Sequence, residues 1–89
     1  MIQIPLNAGR LVRSKAGRDS GRLFAVIEEI DEDFVLIANG SLRKLDRPKK
    51  KRRKHLKALP EEAFTPATGT VTDALLRKAI KDCDQKERG

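Results

Sequence analysis

Arg22-Leu-Phe-Ala-Val-Ile-Glu-Glu-Ile-Asp-Glu-Asp-Phe-Val-Leu-Ile-Ala-Asn-Gly40 decides the fold. Two apolar, branched runs, 22–30 and 34–38, flank an acidic turn at Asp31-Glu-Asp33, and both have the length and composition of β-strands. The second run is apolar on both faces, which predicts a central strand. Asn39-Gly40 predicts a two-residue type I′ hairpin, because both central positions of that turn need positive φ. Ser41-Leu-Arg-Lys-Leu45 would then return antiparallel, with Arg43 at or near the sheet edge.

Working outward, Gly9-Arg-Leu-Val-Arg-Ser14 reads as a short strand. Lys15-Ala-Gly-Arg-Asp-Ser-Gly21 is a turn with glycines at 17 and 21. Pro48 has no amide donor, so it should stop strand pairing. Lys54-His-Leu-Lys-Ala58 alternates and reads as a last strand with Leu56 and Ala58 inward. Four or five short strands in about 50 residues predict a small closed β-barrel, which removes exposed edges. The barrel should occupy 1–59 and fold without the rest. Pro60, Pro66 and Gly69 mark 60–69 as a linker. Residues 70–84 switch to helical spacing, with Val71, Leu75, Ala79 and Cys83 every four residues and Leu76 and Ile80 beside them. Thr70 with Asp73 suits an N-terminal cap, and 85–89 form a tail. The amphipathic helix should dock either on its own barrel or on a partner.

Charge is local. Residues 43–57 hold ten Lys or Arg and one acid, giving +9 against +7 for the whole chain. Such concentration is self-repulsive, and a polyanion relieves it by giving up condensed counterions. Nucleic acid is therefore the first partner to consider; a solvated basic loop is the alternative. Arg43, Lys44, Arg47, Lys49, Lys50, Lys51, Arg52, Arg53 and Lys54 form the main candidate surface. Arg13, Lys15, Arg18 and Arg22, around the first turn, form a second. His55 sits among cations, which oppose its protonation and suit it poorly as a base; it is either strand filler or a phosphate or ribose contact.

Other classes fit poorly. A single cysteine, Cys83, allows no intramolecular disulfide or cysteine-rich zinc site and suits a reducing compartment. Met1-Ile-Gln-Ile-Pro-Leu-Asn7 lacks a signal peptide's basic start and long apolar run, and no stretch suits a membrane span. One His and one Cys give no catalytic constellation, so no enzyme and no cofactor are expected. Glu28, Glu29, Asp31, Glu32 and Asp33 read as a solvated acidic hairpin in preference to a metal site. Phe24 and Phe34 read as core, so stacking of single-stranded bases on exposed rings is not expected. Contacts to phosphate and sugar of folded or duplex RNA fit better.

Residues 9–31 resemble the KOW motif, a strand, a basic turn with glycines and a second strand. With Ile30 to Gly40, Arg43-Lys-Leu45 and Lys54-His-Leu56, the order of segments over 9–59 is similar to bacterial KOW-domain RNA-binding proteins. These are related to the eukaryotic and archaeal large-subunit ribosomal protein family numbered fourteen. The resemblance implies a small SH3-like barrel, which with the helical spacing over 70–84 makes a mainly β chain with a C-terminal α-helix. It also implies binding to structured ribosomal RNA, association with the ribosome or its precursors and contact with large-subunit proteins; the chain is expected to be cytoplasmic and monomeric when free. The other readings are a transcription-associated KOW module and a protein-binding SH3-like adaptor. Pro48 to Lys54 also matches a nuclear localisation pattern, which the bacterial resemblance discounts.

Overall fold

The structure is a computed structural model describing residues 4–88, with side chains to residue 86. The Met1-Ile-Gln start and Gly89 lie outside the described residues. Five strands precede one helix: β1 (Arg10–Ser14), β2 (Leu23–Glu29), β3 (Phe34–Ala38), β4 (Lys49–Arg52), β5 (Leu56–Glu62) and α1 (Asp73–Arg88). A 3-10 turn at Arg53–His55 joins β4 directly to β5. The strands form one antiparallel sheet in the order β4-β3-β2-β1-β5. The predicted closure is not present as hydrogen bonding: β4 and β5 are the two edges and no ladder joins them.

Strand alternation sends apolar residues to both faces of this sheet, and both faces are buried. Val12, Phe24, Val26, Val35, Ile37 and Leu56 form one cluster, with Leu6 packed against it. Leu11, Leu23, Ala25, Ala38 and Leu59 form the other, completed by Leu76 and Cys83 of α1. The two small residues, Ala25 and Ala38, are register partners, which leaves room for the helix. α1 thus docks on its own sheet. Leu76 is fully buried, a burial of about 2–3 kcal/mol in transfer free energy.

The Asn39-Gly40 hairpin is not formed. No described non-glycine residue has positive φ, and Gly40 alone reaches +80°. Asn39 is buried, and its Oδ1 accepts the amides of Ser41 (3.1 Å) and Arg43 (2.9 Å). The Arg43 carbonyl in turn accepts the amides of Asn39 (2.8 Å) and Gly40 (3.0 Å). A side-chain amide that satisfies local backbone in this way outcompetes a ladder. Ser41–Leu45 is therefore a loop and not a strand, and Arg43 lies in that loop. The partner of β3 is the lysine run itself, with Ile37 opposite Lys49 and Phe34 opposite Arg52.

Pro48 accordingly precedes a strand instead of ending one, a position where its missing donor costs no ladder bond. β5 continues through Pro60 to Glu62, as an edge strand can. Leu59 is buried there on the opposite face from Leu56, while Ala58 is only half-buried. Thr72, and not Thr70, caps α1: its hydroxyl accepts the Leu75 amide at 3.1 Å. The helix runs on through 85–88. No described helix is long and apolar enough to cross a membrane.

Candidate nucleic-acid interface

The β1–β2 connection, 15–22, needs left-handed backbone at two points. Gly17 (φ +77°) and Gly21 (φ +87°) supply it, since a Cβ is strained there. Nothing crowds a Cβ built at Gly21, so its requirement is conformational and not one of packing. The Gly21 amide returns to the Ser14 carbonyl at 2.8 Å, and the Arg13 guanidinium donates to the Gly21 carbonyl at 2.6 Å.

β4 then pins this turn from across the sheet. The register puts Lys49 and Lys51 on the face of Ile37 and Val35, and both lysines are half-buried. Their stems cover apolar surface while their ammonium groups reach polar partners. Lys49 Nζ lies 2.7 Å from Asp19 Oδ2, and Lys51 Nζ donates to the Ala16 carbonyl at 3.3 Å. The Lys15 amide donates to the His55 carbonyl at 2.8 Å, tying in the 3-10 turn as well. The Asp19 carboxyl is held below its ordinary range chiefly by the hydrogen bond from Lys49; desolvation, the next largest effect, opposes this, and the lesser fields of Lys49, Lys51 and Arg43 add to the lowering.

The two basic segments, separate in the sequence, therefore meet. The loops 15–22 and 39–48 leave the same end of the sheet, because β2 starts where β3 ends, with Ala25 opposite Ala38. Lys15, Arg18, Arg22, Arg43, Lys44 and Arg47 are exposed around this junction, whereas Lys54, in the 3-10 turn, is exposed beside Glu32 and Asp33 of the acidic hairpin.

The lysine run is not a uniform basic loop. Lys49, Lys51 and Arg13 are occupied in holding the first turn. Arg53 is occupied at the other hairpin, with its guanidinium 3.2 Å from Glu29 Oε1 and donating to the Asp31 carbonyl at 2.9 Å. Lys50 and Arg52 project to the opposite face and lie over the Phe34 ring, at 4.4 and 4.9 Å from its centroid. Phe34, in the interior strand β3, is consequently half-buried beneath two cations of the edge strand β4, whereas Phe24 is core. Lysines along an exposed edge strand also oppose pairing with other chains. His55 is half-buried and contributes its carbonyl to the junction.

The acidic hairpin is more ordered than its composition implies. Asp31 Oδ1 accepts the amides of Asp33 and Phe34, each at 2.8 Å. Those two bonds hold its carboxyl below the usual range. Among the described residues no three His, Cys, Asp or Glu side chains converge as a metal site. Cys83 is buried against the sheet, and that burial pushes its thiol up.

Sequence reasoning missed how the 39–48 loop is held. Asp73 Oδ1 accepts the Leu45 amide at 2.8 Å, and Arg77 donates to the Gly40 carbonyl at 2.6 Å. It also missed Leu42, which is 64% exposed in the same loop. The ties to Asp73 and Arg77 could not be found by periodicity, since they depend on where α1 lands. The split of the lysine run could have been found: a period of two assigns Lys49 and Lys51 to one face and Lys50 and Arg52 to the other. No protein-family model matches the chain.

Proposed function

We propose that the chain is a non-enzymatic RNA-binding module that holds folded RNA, ribosomal RNA above all, through the loops 15–22 and 39–48. The observation that carries this is the Lys49–Asp19 pair, which joins basic segments 30 residues apart into one cationic end. Cations gathered at one end suit the closely spaced phosphates of folded RNA. The strand order, with a 3-10 turn leading from one sheet edge to the other, supports reading the fold as an SH3-like barrel of the KOW type. Association with the ribosome or its precursors, contact with large-subunit proteins and a cytoplasmic, monomeric free state complete the proposal. The ribosomal part rests on the resemblance of 9–59 to KOW-domain proteins, and the compartment on the single cysteine.

Binding by base stacking is disfavoured: Phe24 is enclosed, and the Phe34 ring carries Lys50 and Arg52. The test is titration of the protein with a ribosomal RNA hairpin and with oligouridine of equal length at several salt concentrations. Preference for the hairpin, with affinity falling steeply as salt rises, is the expected result. Salt-insensitive binding, or equal affinity for both RNAs, would reject the proposal.

A further inference from the structure

The 39–48 loop holds three exposed cations and is attached to the helix at three points. The Leu45 amide donates to Asp73 Oδ1, and the Gly40 carbonyl accepts from Arg77. The Leu45 side chain packs on the cluster that contains Leu76, with Val71, Leu75 and Ile80 alongside. Backbone contact is close as well: a Cβ at Gly40 would collide with the Asp73 carbonyl oxygen. Within the loop, Asn39 closes the turn by accepting two amides. A ten-residue basic loop without such ties would sample many shapes. Ordering it on binding would lower affinity for a rigid partner far more than for a pliable strand.

Asp73 suits the start of a helix, but its charge opposes RNA binding. It is a carboxylate half-buried beneath a loop that carries Arg43, Lys44 and Arg47. If charge alone governed RNA binding, removing this acid would strengthen it. The carboxylate is instead spent on a backbone amide of the loop.

We propose that α1 is a positioning element for RNA binding, in which Asp73 and Arg77 hold the 39–48 loop in one shape and so set Arg43, Lys44 and Arg47 as a fixed array for folded RNA. This rests on the RNA-binding reading above. Neither Asp73 nor Arg77 need touch the RNA.

The experiment compares Asp73→Asn with Asp73→Ala. Both raise the net charge by one and both remove the acid from the first helical turn. Only Asn keeps an oxygen that can accept the Leu45 amide. Affinities for a ribosomal RNA hairpin and for oligouridine of equal length are measured well below each variant's melting point. Asp73→Asn should keep the wild-type hairpin preference. Asp73→Ala should lose about fivefold of that preference, the population lost with one net hydrogen bond, while binding oligouridine as well as wild type or better. In the free protein, hydrogen exchange of the Leu45 amide should quicken in Asp73→Ala and not in Asp73→Asn. Where Asp73→Ala melts too low to compare, Arg77→Met keeps the stem, loses the donor to Gly40 and is read by the same preference ratio. Identical preferences in the Asn and Ala variants, beside a wild type that does prefer the hairpin, would overturn the positioning role alone. A wild type with no preference would overturn the folded-RNA reading and this inference together.

Discussion

Replacing Arg18, Arg43, Lys44 and Arg47 together by Ser separates cations that face solvent from cations spent inside the fold. All four are exposed, and they come from both loops of the junction. Each phosphate neutralised contributes roughly 0.7–0.9 to the slope of log K against log salt, so six contacts give a slope of about −5 and two give about −2. Raising salt from roughly 50 to 200 mM should then weaken the wild type about a thousandfold and the variant only about sixteenfold. The assay is fluorescence anisotropy of a labelled ribosomal RNA hairpin across that range. Lys49→Met is the control: it keeps the stem over the core and removes the ammonium from Asp19. It should lower stability by roughly 1 kcal/mol, as a half-buried pair still screened by solvent does, and change the slope by less than about one unit. A quadruple variant with the wild-type slope, or a Lys49 variant that flattens it as much as the quadruple one, would refute the division of the basic residues drawn here.

Three further outcomes follow from particular contacts. Gly21→Ala and Gly40→Ala carry the same backbone strain, about 1–2 kcal/mol, but only at Gly40 does the new methyl meet the Asp73 carbonyl, for roughly 1–3 kcal/mol more. Urea unfolding should show Gly40→Ala clearly the less stable, and equal losses would contradict the loop–helix packing. Because the Asp19 carboxyl is lowered in the folded state, its stabilising contribution is complete above its unfolded value, about 3.9, and is lost as pH falls through the folded value. Stability measured from pH 6 down to 2 should therefore fall less steeply for Asp19→Asn than for wild type; parallel curves would mean that Asp19 holds nothing. A fragment ending at Ala63 keeps all five strands but uncovers Leu11, Ala25, Ala38 and Leu59 by removing Leu76 and Cys83. It should give a poorly dispersed amide spectrum, contrary to a β-domain that folds without its helix, and a sharp dispersed spectrum would make the helix dispensable.

The strands β1, β2 and β3 were legible in the sequence because their apolar runs are short, branched and bounded by Gly or Asp, and such signals act within a few residues. The glycine turn at 17 and 21 was legible for the same reason, as was the helical spacing that buries Leu76 and Cys83. The charge segregation was plain from counting. What the sequence could not give were the decisions made by residues far apart. Asn39-Gly40 has the composition of a hairpin, yet the buried Asn39 amide and the arrival of Asp73 and Arg77 fix it as a loop. Lys49 to Arg52 has the composition of a solvated tail, yet β3 offers an unpaired edge and half-buried stems cover the core, so it becomes a strand. Pairing of a strand edge and docking of a helix are set by contacts between residues a dozen to almost forty apart, and local propensity carries no term for them. The same physics governs the binding surface. Sequence supplied the cations, and tertiary structure decided which of them hold the fold and which remain to meet a partner.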